Sequence, residues 1–214
     1  MALATDLDLD QLVGRARRLV VPGRRRILGV GGPPGAGKST LAGELVGRLG
    51  GEAVLVPMDG FHLANAELRR LGRAERKGAP DTFDAAGYVA LLRRLRSPDP
   101  GTVVYAPDFD RTLEEAVAGS IAIDPRVPLV VTEGNYLLHD DGPWQQVRDL
   151  VDEVWYLQID DSERVRRLVE RHVRHGKDRS HAERWVKESD EVNARLVAPA
   201  RMRADLVISG ARSG

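Results

Sequence analysis

Three glycines, a lysine and two hydroxyls are packed into one short run, Gly32-Pro33-Pro34-Gly35-Ala36-Gly37-Lys38-Ser39-Thr40. The spacing is G-x-x-x-x-G-K-[ST], a loop whose backbone amides can turn inward around phosphate oxygens while the following helix N-terminus adds partial positive charge. Gly32, Gly35, Ala36 and Gly37 supply the amides. Lys38 suits the β- and γ-phosphates of a nucleoside triphosphate, the Ser39 hydroxyl suits Mg²⁺, and Thr40 suits the α-phosphate. A glycine-rich turn that bound nothing would leave Lys38 beside an apolar strand without an anionic partner, which is costly.

Two carboxylates follow apolar runs elsewhere in the chain. Val54-Leu55-Val56 leads into Pro57-Met58-Asp59-Gly60-Phe61-His62, and Leu129-Val130-Val131-Thr132 leads into Glu133-Gly134-Asn135-Tyr136. In open α/β sheets, ligands collect beyond the carboxyl ends of the strands, so both acids face the triphosphate. Phosphoryl transfer needs charge neutralisation and a carboxylate that orients an attacking hydroxyl and takes its proton. Asp59 is the candidate base and Glu133 the candidate Mg²⁺ partner. His62 and Tyr136 are candidate substrate contacts, with helix capping and packing as their alternative roles.

The elements that must position these residues alternate. Ile27–Val30, residues 54–56, 102–105, 129–132, 154–159 and 206–208 read as strands, and amphipathic helical runs lie between them. That alternation predicts a parallel sheet covered by helices on both faces. Residues 1–22 read as a lead-in helix carrying Leu9, Leu12, Val13, Ala16 and Leu19 and stopping at Pro22. Asp84 opens a helix through Leu95, Asp160 with Glu163 forms one capping box, and Ser180 with Glu183 forms another. No repeat or linker divides the chain, so one domain over 1–214 is expected.

Composition narrows the classes. The 214 residues balance 32 Lys+Arg against 32 Asp+Glu, which gives no electrostatic footprint for nucleic acid. Cysteine is absent, which closes disulfide, thiolate-zinc and cysteine-nucleophile chemistry. Asp6, Asp8 and Asp10 occupy the place of a signal peptide's basic and apolar segments, and no apolar stretch approaches ~20 residues. A cytoplasmic protein away from membranes is expected.

Arg164, Arg167, Arg171 and Arg174 recur at alternating spacings of three and four, with His172, His175, Lys177 and Arg179 extending the cluster. Cations on one stripe repel unless an anion sits between them. The alternative is a solvated face paired with Glu163 and Glu170; nucleic-acid binding is disfavoured because no aromatic residues interleave.

Together, the loop, Met58 to His62, Glu133 to Asn135 and the segment Lys77 to Asp84 resemble the P-loop kinases that include type I pantothenate kinase, uridine kinase and phosphoribulokinase. Within them the chain is most similar to a bacterial branch labelled nucleoside/nucleotide kinase-like or fructose-transport-system kinase. The resemblance runs from about Ile27 to Ile208 and implies a P-loop NTPase three-layer sandwich with a mostly parallel sheet and a helical lid at about 162–184. It implies ATP and Mg²⁺ as cofactors, Asp59 as catalytic aspartate, and arginines, first Arg167 and Arg171, closing over the transferring phosphate. It further implies substrate contacts from the segment containing Tyr105, Asp108 and Arg111 and from Asn193, and a homodimer as a common state. Pro107 and Asp108 replace the pantothenate kinases' histidine region, and only 5% of residues are aromatic. Those departures favour a sugar or nucleoside over pantothenate.

Two other classes fit less well. A regulatory switch lacks an Asn-Lys-x-Asp guanine reader, and an ATPase subunit lacks a Leu-Ser-Gly-Gly-Gln sequence.

Overall fold

The computed structural model describes residues 5, 7–97, 99 and 101–209; the outer ends of the expected 1–214 domain lie outside them. Helix α1 (Leu9–Arg17) leads into β1 (Arg26–Gly31), the phosphate loop, α2 (Lys38–Leu49) and β2 (Ala53–Pro57). Then come α3 (Asn65–Arg70), α4 (Ala85–Arg96), β3 (Val104–Asp110) and β4 (Glu115–Ile123). The remainder comprises β5 (Leu129–Gly134), α5 (Val147–Leu150), β6 (Glu153–Gln158), α6 (Asp161–Arg174), α7 (Arg179–Trp185), α8 (Glu191–Val197) and β7 (Leu206–Ser209).

Five strands form one parallel sheet in the order β2-β5-β1-β6-β7. Residues alternate between two cores, as strands covered on both faces must. Leu28, Val30, Leu129 and Val131 pack with Leu12, Ala16, Ala42 and Leu45 of α1 and α2. Ile27, Val130 and Val154 turn the other way, toward Tyr88, Leu92 and Leu95 of α4 and Val147 of α5. The result is the expected three-layer α/β sandwich. β1, which carries the phosphate loop, lies at the centre of the sheet, so the carboxyl ends of β2, β5 and β1 open on one cleft.

The segment expected as a sheet strand at 102–105 does not join this sheet. It begins an antiparallel hairpin, β3 with β4, that forms a separate two-stranded sheet. Val104 and Ala106 are buried while Tyr105 between them is 58% exposed. This one-sided burial is the mark of a surface hairpin, not of a strand covered on both faces. β4 went unpredicted because its turn lacks a glycine or asparagine: Asp110 Oδ1 accepts from the amides of Thr112 (2.7 Å) and Leu113 (3.0 Å), and Glu114 takes the positive φ of 53°.

Two end signals also shift. α1 stops at Arg17, and α7 is capped by Asp178, whose carboxylate accepts the His181 amide at 2.9 Å, in place of the expected Ser180–Glu183 box. Glu183 instead accepts from Arg179 Nε at 3.0 Å. Asp84 caps α4 as expected, and Asp160 caps α6 by accepting the amides of Ser162 and Glu163, while the Glu163 carboxylate expected to complete that box receives Arg166 and Arg167 instead.

The hairpin sits on the short 3₁₀ turn Met58–Phe61, where a Cβ on Gly60 would lie 2.4 Å from the Pro107 carbonyl oxygen. Both partners are backbone, so neither can swing aside. Gly60→Ala is expected to cost at least about 1 kcal/mol, lowering Tm by ~2–4 °C or more in a circular dichroism melt. An unchanged Tm would mean that the hairpin is not seated there.

Candidate functional site

The loop between β1 and α2 takes the shape its glycines allow. Gly35 (φ 80°) and Gly37 (φ 97°) lie in the left-handed region, and a Cβ on Gly35 would come within 2.7 Å of Leu168 Cγ and 3.0 Å of the Arg164 carbonyl. The loop is therefore pressed against α6, and Ala36, the one non-glycine among its amide donors, is buried. Gly32, with a would-be Cβ 2.6 Å from the Leu157 carbonyl, fixes the loop's other end.

Lys38 opens α2 and is buried, 8% exposed. Its ammonium donates to the Pro33 carbonyl (3.0 Å) and to Asn135 Oδ1 (2.7 Å), both neutral. Burial holds its pKa below the usual lysine value, opposed by the charges of Glu133 and Asp59 nearby. A desolvated ammonium with neutral direct partners is suited to receive an anion.

Ser39 Oγ donates to Glu133 Oε1 at 2.9 Å, joining the first turn of α2 to the end of β5. One hydroxyl and one carboxylate beside a phosphate loop fit Mg²⁺, a hard cation that completes its shell with phosphate oxygens and water. Burial, and next the charge of Asp59, push the Glu133 carboxyl above the ordinary range. The folded chain therefore binds that proton more tightly than the unfolded chain, and stability falls as pH rises from the ordinary carboxylate value to the raised one. Glu133→Gln cannot ionise. In metal-free buffer above about pH 7, it is expected to melt ~2–4 °C above the wild type, with the gap closing toward pH 4. A variant no more stable at high pH would contradict this origin of the shift.

Asp59 sits on the turn after β2, with Arg111 Nη2 at 3.4 Å from its Oδ2. His62 turns its Nδ1 to the Asp59 carbonyl at 2.8 Å and packs against the rings of Phe83 and Phe109, and burial lowers its pKa. Asp59, Arg111 and His62 all line a cleft of about 370 Å³ that also reaches Lys38, Ser39, Glu133 and Asn193. A second recess of about 360 Å³ shares Lys38, Ser39, Arg111 and Arg171 with the first and extends past Thr40 to Arg167 and Arg174. The two recesses meet over the phosphate loop, one carrying the strand-end acids and the other the arginines of α6.

Several expected contacts lie elsewhere. Tyr105 is exposed on the hairpin, and Asp108 is exposed with its Oδ1 accepting its neighbour's Phe109 amide at 2.8 Å; neither lines the cleft. Tyr136 is fully buried and spends its hydroxyl on the Gly78 carbonyl at 2.5 Å, so it braces the 77–84 segment. Asn193 donates to the same carbonyl at 3.3 Å while lining the cleft. Arg164 leaves the arginine stripe: it is 1% exposed and paired with Asp161 and Glu191, because the N-terminal turn of α6 is tucked beneath the phosphate loop. Arg167 pairs with Glu163 at 2.7 Å on the rim of the second recess, and Arg171 lines both.

The cleft includes residues that spacing did not reveal. Asn135 holds Lys38, Phe109 faces Lys77 (Nζ 5.0 Å from the ring centroid), and Trp185 and Asp190 close the far wall. Asn135 lies two residues after Glu133, yet only the fold shows that it meets an ammonium 97 positions away.

Residues 27–213 match the Phosphoribulokinase / Uridine kinase family over nearly the whole chain. The chain belongs to the phosphoribulokinase/uridine kinase family. It is 33% identical to a Schizosaccharomyces pombe protein provisionally named uridine kinase C227.14, with 99% of this chain and 96% of that protein covered. It is 31% identical to YggC of Escherichia coli over 93% of this chain and 84% of that one. The crystal structure of a protein from Silicibacter sp. TM1040, provisionally named a fructose transport system kinase, superposes with a TM-score of 0.86. That protein is 35% identical, with 94% and 98% of the two chains covered. This member of the phosphoribulokinase/uridine kinase family is an ATP-dependent P-loop kinase. No helix among its described residues is long and apolar enough to cross a membrane.

Proposed function

We propose that this kinase transfers the γ-phosphoryl group of Mg-ATP to a hydroxyl of a small polar metabolite, a sugar or a nucleoside. The observation that carries this reading is the junction of the two recesses at Lys38, Ser39, Arg111 and Arg171, with Asp59 on one side only. An in-line transfer needs donor and acceptor on opposite sides of the moving group, and charge compensation between them.

The triphosphate lies in the arginine-lined recess on the loop amides, with Lys38 on its β- and γ-oxygens. Ser39 and Glu133 hold Mg²⁺, which when bound neutralises charge on those oxygens. Asp59 orients the acceptor hydroxyl and takes its proton as the new O–P bond forms and the bond to the β-phosphate breaks, yielding ADP and a phosphate ester. Arg171, reinforced by Arg167, screens the equatorial charge, with α6 and α7 acting as a lid that excludes water. The segment 77–84, braced by Tyr136 and Asn193, forms the acceptor's entrance.

The test is ADP release from Mg-ATP across sugars, nucleosides and pantothenate. Release that depends on adding one of the sugars or nucleosides is expected. Release indifferent to every acceptor would point to an ATPase module, and binding without release to a regulatory one.

A further inference from the structure

The far wall of the acceptor recess holds a carboxylate that neither the phosphate loop nor the transfer step uses. Asp190 is 8% exposed and lines the cleft. Its Oδ2 lies 2.8 Å from His172 Nε2. An ionised carboxylate only accepts, so this pairing puts the proton on Nε2 and fixes the carboxylate's plane. Oδ1 has no hydrogen-bond partner among the described residues.

The backbone is shaped to bring it there. Residues 186–190 form a π-helical turn between α7 and α8. Trp185 and Asp190 are five apart, a separation that in an α-helix turns side chains ~140° from one another, whereas a π turn closes i to i+5. Asp190 and Asn193 are then three apart, neighbours on one α-helical face. The inserted turn thus aligns Trp185, Asp190 and Asn193 on the cleft, and such bulges concentrate at functional sites.

The surroundings select the kind of group Oδ1 can receive. It needs a donor, which excludes a bare carbonyl, carboxylate or phosphate. Lys38, Lys77, Arg111, Arg171 and Lys177 line the same recess together with Asp59, Glu114 and Glu133. A neutral hydroxyl donates to Oδ1 without adding a charge to that balance. Asp59 and Asp190 both line this one recess.

We propose that Asp190, held by His172, accepts a hydrogen bond from a second hydroxyl of the acceptor, so that the recess selects molecules with at least two hydroxyls, one turned to Asp59 and another to Asp190. The inference rests on the kinase reading above and narrows its acceptor to a diol-bearing one. Asp190 is here a specificity-determining residue, and His172 a positioning residue that acts through it.

The experiment is calorimetric titration of the Mg-ADP-loaded enzyme with two probe pairs, uridine against 2′,3′-dideoxyuridine and D-ribose against 2-deoxy-D-ribose. At least one diol-bearing probe is expected to bind about tenfold or more tightly than its partner, as befits a hydrogen bond to a charged group. Asp190→Ala is expected to bring that ratio within about twofold, with Asp190→Asn intermediate. His172→Gln, which keeps a donor, is expected to preserve more of the ratio than His172→Ala. Should Asp190→Ala lose its thermal transition, Asp190→Asn and His172→Ala carry the same comparison. A wild type without preference in either pair, or a preference that survives Asp190→Ala, overturns the inference. ADP release measured alongside reports on the parent reading: acceptor-independent release with an intact diol preference sinks the transfer assignment alone, and the reverse pattern sinks the diol site alone.

Discussion

Lys38→Met is expected to lower turnover by about 10³-fold or more while leaving the folded protein at least as stable as the wild type. The two halves of this expectation share one cause. The Lys38 ammonium is buried with neutral direct partners, and burial already works against its charge. In the ligand-free protein the charge is therefore mostly a cost, offset by Glu133 and Asp59 at longer range. Methionine keeps the length and flexibility of the stem without the desolvation term. Once a triphosphate is present, the same charge faces the oxygens on which negative charge gathers, in a recess where each fixed donor counts for more than in water. Lys38→Arg is not expected to restore turnover, because Pro33 and Asn135 already fit a compact ammonium and a planar fork needs other room. Single-turnover ADP release beside a thermal melt checks both halves. Turnover within tenfold of the wild type would remove Lys38 from the transfer step.

What was legible in the sequence was local. The phosphate loop announces itself because its amides, lysine and hydroxyl act on one ligand from adjacent positions, and the strand-to-helix context that makes the motif credible is also contiguous. Asp59 and Glu133 could be chosen because a parallel sheet sends every strand's carboxyl end to one side, so an acid after an apolar run reaches the cleft whatever the strand order. Asp84 and Asp160 cap helices by bonding to amides two or three residues on, an interaction written within a few positions of chain.

The illegible parts depend on contacts that no spacing rule connects. His172 and Asp190 meet across 18 positions only because α7 folds back on α6 and a π turn rotates Asp190 into the cleft. Helical periodicity put Arg164 on the stripe with Arg167, yet its partner Glu191 arrives from α8 and draws it inward. Tyr136 looked like a strand-end contact, but the 77–84 segment folds over it and uses its hydroxyl. Tyr105 and Asp108 were assigned through the family likeness of their segment. A hairpin packed by one face leaves alternate residues outside, and the register shift between Ala106 and Asp108, where Pro107 seats on Gly60, resets the alternation so that Tyr105 and Asp108, three apart, both face out.

That same seat governs the second large effect, Asp59→Asn, for which a fall in kcat of roughly 10²–10⁴-fold is expected, with the KM for ATP changed only a few-fold. Asp59 stands on a 3₁₀ turn fixed by backbone contacts: the hairpin presses on Gly60, and the His62 amide donates to the Asp59 carbonyl at 3.1 Å. The long contact with Arg111 contributes little to holding it, since the Asp59 side chain is 30% exposed and the separation is 3.4 Å. Asparagine can therefore occupy the same place and still accept one hydrogen bond from the acceptor hydroxyl, but it cannot take the proton. A positioning role would be weakened by that exchange, with the deficit in the KM for the acceptor, whereas a proton-accepting role is made only in the transition state and appears in kcat. The split between the two constants thus reads the role of the carboxylate directly. A variant whose deficit lies wholly in the acceptor KM would move Asp59 from base to binding group.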